Sequence, residues 1–91
     1  MRVEIETGHG SVTGFVVQYE AWIDGEYRPV VRYDMAHGFA HCDVMRPDGS
    51  QKSKTPLNLP ASEAISYAMR DIHENWERYR RAFESELRGG K

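Results

Sequence analysis

Ninety-one residues are one domain's worth of chain, and at that length only roughly 60 to 65% of the unfolded surface is buried on folding, so the core is thin and multi-domain enzymes are excluded. A composition of 40% hydrophobic, 29% charged and 11% aromatic residues is that of a globular protein, not a disordered one. A net charge of −2 argues against the broad basic surface of a non-specific nucleic-acid binder, and no window approaches the ~18 to 20 apolar residues of a membrane span.

Val3 and Ile5, ahead of Gly8-His9-Gly10, predict an edge strand. From Thr13 to Ile23 the odd positions are Phe15, Val17, Tyr19, Ala21 and Ile23, a period of two that predicts a strand with one buried face. Asp24-Gly25 is a hairpin signal, and Tyr27 to Asp34 is the return strand, with Tyr27, Val31 and Tyr33 as its apolar set. For the odd faces of both strands to coincide, the loop must hold three residues, Asp24 to Glu26, or a bulge must replace the plain turn. The other face then carries Gln18, Glu20 and Trp22 beside Arg28, Arg32 and Asp34.

Phe39 to Arg46 predicts a third strand, in which Ala40, Cys42 and Val44 alternate with His41, Asp43 and Met45. Pro47-Asp48-Gly49 is a turn, and Ser50 to Thr55, with Lys52 and Lys54, is a short charged strand of the kind that protects a sheet edge. After Pro56 the period changes. Ala61, Ala64, Ile65, Ala68, Ile72, Trp76, Tyr79, Phe83 and Leu87 recur at three- and four-residue steps, one face of a helix. Pro60 suits its first turn and Gly89-Gly90 its end. Five oppositely charged pairs at i,i+4, from Arg70/Glu74 to Glu84/Arg88, line the outer face. Such a helix is a rod of about 42 Å and is expected to overhang its sheet. Its apolar end then needs either a long twisted sheet beneath it or a second chain. The predicted architecture is α+β: an antiparallel meander of four to five strands packed against one long C-terminal helix, with residues 1–88 as one domain and 89–91 as a frayed tail.

Residues 1–45 hold three basic and seven acidic side chains and residues 46–91 hold nine and seven, so the positive charge lies in the second half, which could still meet an anion. The sole cysteine, Cys42, cannot form an internal disulfide, and no CxxC or Cys/His quartet suggests structural zinc. Cys42 reads as a small buried hydrophobe. The start, Met1-Arg2-Val3-Glu4, lacks the pattern of a secretion signal, so a soluble, cytoplasmic protein is expected.

The chemistry concentrates between residues 32 and 43. If the helix covers the apolar face, the opposite face presents Arg32 and Asp34 from one strand and His41 and Asp43 from the next, with His37 in the connection. Antiparallel neighbours bring same-face side chains to about 5 Å. A histidine beside a carboxylate exchanges protons near neutral pH, and an arginine holds phosphate. That is the minimum kit for metal-independent phosphodiester cleavage with the 2′-hydroxyl of RNA as nucleophile. Asp34, His37, His41 and Asp43 also offer two imidazoles and two carboxylates to a divalent metal, although their spacing is not a recognised metal motif. The plain alternative is an ordinary ion-paired surface with a His37-Gly38 turn. His73 and His9 read as solvated or loop residues. Trp22, an indole on the polar face, would border a ligand or partner surface.

The run Val31-Arg32-Tyr33-Asp34-Met35-Ala36-His37-Gly38-Phe39-Ala40-His41, with Asp43, Pro47-Asp48-Gly49 and the helix segment from Asp71 to Tyr79, resembles an uncharacterised family of small bacterial and archaeal proteins. Its Arg-Tyr-Asp, Ala-His-Gly and His core is also distantly similar to the TumE-like toxins of type II toxin–antitoxin systems. That resemblance implies a functional core of Arg32, Asp34, His37, Gly38 and His41, toxicity exercised on RNA or translation, and relief by an antitoxin, often a helix-turn-helix protein. The function expected is therefore a toxin-like protein with a metal-independent RNA-cleaving site and no cofactor. In it His37 and His41 exchange protons, Arg32 binds phosphate, and Asp34 or Asp43 orients a histidine. The alternatives are a non-catalytic interaction module, as a homodimer or with a partner on the long helix, and a small divalent-metal-binding protein.

Overall fold

A computed structural model of the chain describes residues 1–36 and 38–89; His37, Gly90 and Lys91 lie outside the described residues. The elements in order are β1 (Arg2–Gly8), β2 (Ser11–Ile23), β3 (Glu26–Asp34), β4 (His41–Met45), β5 (Gln51–Pro56) and α1 (Ala61–Leu87). The strands form one antiparallel sheet in chain order, and α1 crosses one face of it over β2 and β3. This is the expected α+β fold. The strand foreseen at Val3 and Ile5 is present as β1.

The alternation in β2 sorts its side chains as expected. Phe15, Val17, Tyr19, Ala21 and Ile23 are buried under the helix together with Val31 and Tyr33 of β3 and Ala64, Ala68, Ile72 and Phe83 of α1. Alanine at positions 64 and 68 lets the helix backbone approach the sheet closely, and each larger side chain buried there contributes about 1.5–3 kcal/mol.

The β2–β3 hairpin departs from the expected loop. Ile23 pairs with Glu26, so the connection is the plain two-residue turn Asp24-Gly25, and both residues have positive φ, 52° and 83°. The parity mismatch is absorbed farther along, where the register shifts between Tyr19 and Glu20 opposite Val31 and Pro29. Val30 is the extra residue, and it and Val31 are both buried. Pro29, which cannot donate a ladder hydrogen bond, sits at this bulge. Below the bulge the faces invert relative to the sequence reading. Tyr27 lies opposite Trp22 on the face away from the helix, the two rings edge to face at 4.9 Å, while Arg28 goes to the helix side opposite Ala21 and its Nε donates to the Ile23 carbonyl.

The expected overhang of the helix is also corrected. β2 has 13 residues, about 43 Å at 3.3 Å per residue, and α1 has 27, about 40 Å at 1.5 Å per residue. The longest dimension of the molecule is 46 Å. Strand and rod are matched in length, so the last turns of α1 have sheet beneath them. Phe83 is buried and Tyr79 and Leu87 pack on the core. Arg80 donates to the Trp22 carbonyl, and Lys52 of β5 reaches Glu86 at 2.6 Å. Of the expected i,i+4 pairs, Arg80–Glu84, Glu77–Arg81 and Glu84–Arg88 form, whereas Arg78 lies over the Tyr79 ring.

Between helix and sheet runs a polar seam. Asp71 Oδ2 accepts hydrogen bonds from the hydroxyls of Tyr33 and Tyr79, both at 2.6 Å, and its Oδ1 accepts one from Asn75 at 2.9 Å. Burial, and then the hydrogen bond to this carboxylate, push both phenols far above their ordinary range. They stay neutral donors that tie α1 to the sheet.

Candidate functional site

The face of the sheet opposite α1 is built by register. β3 and β4 pair Arg32 with Asp43 and Asp34 with His41, and antiparallel partners share a face. The same rows extend through the whole sheet. One runs Arg2, Gln18, Arg32, Asp43, Lys54 from β1 to β5, and the next runs Glu4, Val16, Asp34, His41, Pro56. Alternation along β2 already placed Gln18 on this face beside Arg32; Lys54, read as an edge-protecting charge, is the member of the site that sequence reasoning missed. The signal for it is register, which a single strand's periodicity does not carry.

Four of the five expected residues meet. Arg32 Nε donates to Asp34 Oδ2 at 2.7 Å, and His41 Nε2 lies 2.8 Å from Asp34 Oδ1 and 3.6 Å from Asp43 Oδ2. His41 Nδ1 stands 3.3 Å from the Phe39 carbonyl. The Ala36 N–H also donates to Asp34 Oδ1, and the far end of Arg32 reaches the Gln18 side-chain oxygen at 3.5 Å. His37, the fifth residue, lies outside the described residues. Gly38 follows it with φ 84°, a conformation that a glycine adopts without strain, which is the physical reason for glycine in Ala-His-Gly.

Burial divides the group. His41 is 2% exposed and Asp34 and Gln18 are buried, whereas Arg32 keeps 38% of its side chain in solvent and Lys54 is exposed. The Phe39 ring lies 5.6 Å from the His41 ring and covers it. The arrangement is thus a carboxylate–imidazole–carboxylate core with cations at its mouth. Burial works to raise the Asp34 carboxyl, but the hydrogen bonds from Arg32 and the Ala36 N–H and the positive charge beside it hold it below the usual carboxylate range. Asp34 is therefore an anion that anchors its neighbours, not a proton donor. Among the described residues Asp43 Oδ1 is buried with no hydrogen-bond partner, an acceptor with capacity for a further donor or a cation. One ligand atom from each of Asp34, His41 and Asp43 lies within 4.8 Å of the others.

The other sequence candidates fall elsewhere. Cys42 points to the helix side, opposite Tyr33, and burial pushes its thiol up to about 11. His9 and His73 are exposed. Trp22, more than half exposed, sits at the hairpin end of the open face, six positions along β2 from the residue opposite Asp34. At 3.3 Å per residue that is about 20 Å from the Asp34–His41 pair and about 13 Å from Gln18, so it does not line the His–Asp–Asp core. Surface clefts such as the one between Leu59, Ser62, Tyr67 and Arg70 are lined by the helix and its approach.

Fold and site together define a small α+β protein whose single open sheet carries a buried His–Asp–Asp group flanked by cations. Over residues 1–89 the chain matches the family described as Domain of unknown function (DUF7718), and it belongs to that family. No curated protein and no solved structure matches it. Among the described residues no helix is long and apolar enough to cross a membrane.

Proposed function

We propose that the open face is a phosphodiester-directed site and that the protein is a toxin-like ribonuclease acting without a metal. The observation that carries the reading is the row in which Arg32 and Lys54 flank Asp43 on adjoining strands, directly beside the His41–Asp34 pair. Two cations two strands apart put positive charge on both sides of Asp43 along the open face, and the guanidinium offers a bidentate grip on a phosphate. The toxin assignment, and an antitoxin as protein partner, rest on the resemblance of residues 32–41 to the TumE-like toxins.

In the proposed reaction the RNA 2′-hydroxyl oxygen bonds to the adjacent phosphorus as the bond to the 5′-oxygen breaks. The hydroxyl proton passes to the Asp43 carboxylate, which the buried His41 supports from behind, and a second proton, the role given to His37, goes to the departing 5′-oxygen. The products are a 2′,3′-cyclic phosphate and a 5′-hydroxyl. Arg32 stabilises the charge that develops on the phosphoryl oxygens. Incubation of RNA with the purified protein in excess chelator tests this. Cyclic-phosphate ends are expected, with the rate reduced about a hundredfold in Arg32→Ala, and growth arrest on expression in bacteria is expected to be relieved by His37→Ala and His41→Ala. Absence of cleavage, or equal cleavage by wild type and Arg32→Ala, contradicts the reading.

One observation favours a second reading. The unsatisfied Asp43 Oδ1 and the convergence of Asp34, His41 and Asp43 suit a divalent cation with mixed oxygen and nitrogen ligands. Calorimetric titration with Mn²⁺ or Zn²⁺ separates the two. Stoichiometric binding that disappears in Asp43→Asn, together with cleavage abolished by chelator, replaces the metal-free reaction with a metal-assisted one.

A further inference from the structure

The two edges of the sheet are treated differently. β5 carries Lys52, Lys54 and Pro56, and Lys52 is tied to Glu86 of α1; like charge repeated along the strand and proline are devices that prevent an edge from pairing with another chain. β1 is charged too, but its charges, Arg2, Glu4 and Glu6, are of both signs and can complement a second copy of the same strand. It runs seven residues, Arg2–Gly8, without lysine or proline, and its only irregularity is the register shift between Glu6 and Thr7 at its far end. α1 crosses β2 and β3 and leaves β1 bare. Val3 and Ile5 lie opposite Val17 and Phe15 on the helix-side face, yet they are 39% and 50% exposed where their neighbours are buried. Trp76 of α1, edge-on to Tyr19 of β2, is likewise partly exposed, at 42%.

We infer that β1 is a homodimer interface, in which two copies pair antiparallel about a twofold axis through Val3 into one continuous ten-stranded sheet. The charges choose both the occupant and the register. With the axis at Val3, Arg2 of each copy faces Glu4 of the other and Val3 faces Val3. With the axis at Glu4, Arg2 faces Glu6 twice but Glu4 opposes itself. With the axis at Ile5, Glu4 opposes Glu6 twice, and like charges directly opposite destabilise a pair. Arg2 and Glu4 of one strand already form an ion pair at 2.9 Å, so the Val3 register closes a ring of four alternating charges on the open face. On the other face both helices lie on the same side of the joined sheet, and the paired Val3 and Ile5 rows occupy the floor between them. The interface involves neither His41 nor Arg32 and stands whether or not the protein cleaves RNA.

Light scattering of the untagged protein over a micromolar concentration series is expected to give twice the 10.5 kDa chain mass. Arg2→Glu and Glu4→Arg each raise the dissociation constant by roughly tenfold, and the double variant, which restores opposite charges across the axis, recovers the dimer. Mild oxidation crosslinks Val3→Cys but not Ile5→Cys, with the buried Cys42 silent in both. A mass of 10.5 kDa throughout, a dimer indifferent to both single charge reversals, or crosslinking at position 5 in preference to position 3 overturns the inference. Far-ultraviolet circular dichroism of each variant establishes that a loss of mass is a loss of association and not of fold.

Discussion

Asp34 accepts from Arg32 on one oxygen and lies against both His41 and the Ala36 N–H with the other, so its removal strands a buried imidazole and frees a guanidinium. Asp34→Ala is expected to cost about 3–5 kcal/mol in urea unfolding, the range for breaking one member of a buried charge pair, whereas Arg32→Ala, at a half-exposed position, costs much less. Because the folded carboxyl is held below its ordinary value, its contribution is complete above the unfolded pKa of about 3.9. It is lost as pH falls through the lower folded value. An acid titration followed by tryptophan fluorescence should therefore show a transition below pH ~4 that is blunted in Asp34→Asn. The alkaline side is set by other residues. The Cys42 thiol is raised from 9.0 to about 11 and the Tyr33 and Tyr79 phenols are raised further. Each stabilises the fold fully below its unfolded pKa, so stability declines as pH rises beyond 9.0. Cys42 should react with a thiol reagent only on unfolding, and fast labelling at neutral pH would contradict its burial. The Asp34–His41 pairing was legible in the sequence, because both residues sit on alternating strands joined by a short link. The Asp71 seam was not: Asp71 is far in sequence from Tyr33, and a helix period shows which face it occupies but not which strand residue lies opposite.

At the scale of elements the long helix and the alternating strand were legible because each carries its own period over many residues. The hairpin between β2 and β3 was legible only in parity. A mismatch of one residue had to be absorbed somewhere, and the sequence reading put it in the loop, where Asp-Gly tolerates positive φ. The chain instead keeps the compact turn and inserts Val30 beside Pro29, since proline already interrupts the ladder and two adjacent valines can both be buried there. The consequence is the inverted placement of Tyr27 and Arg28. This assigns a definite role to Gly25, whose φ is 83°. Gly25→Val should destabilise the protein by about 1–2 kcal/mol, the cost of a left-handed backbone for a residue with Cβ, read as a lower urea midpoint with unchanged slope. No loss at that position would mean that the turn is not the two-residue form.

For the whole molecule, length matching between β2 and α1 replaces the expected overhang, and with it goes the argument that the far end of the helix needs another chain. What remains unpaired are the two edges, β1 and β5, whose exposure follows from a single helix being too narrow to cover five strands. The open face is then the broad surface left for function, and its chemistry is set by cross-strand rows that no linear motif displays. Arg32, Asp34, His41 and Asp43 could be named from the sequence, and Gln18 could be placed on their face, but the row that adds Lys54 required the register of the strands. The central claim, that this face recognises a phosphodiester backbone, is tested most directly by fluorescence anisotropy of a labelled single-stranded RNA across a salt series, with cleavage blocked by 2′-O-methylation at each position. The account predicts binding whose logarithmic salt slope flattens by about 0.7 for each cation removed in Arg32→Ala and Lys54→Ala. No binding by the wild type, or an unchanged slope in the double variant, would contradict it.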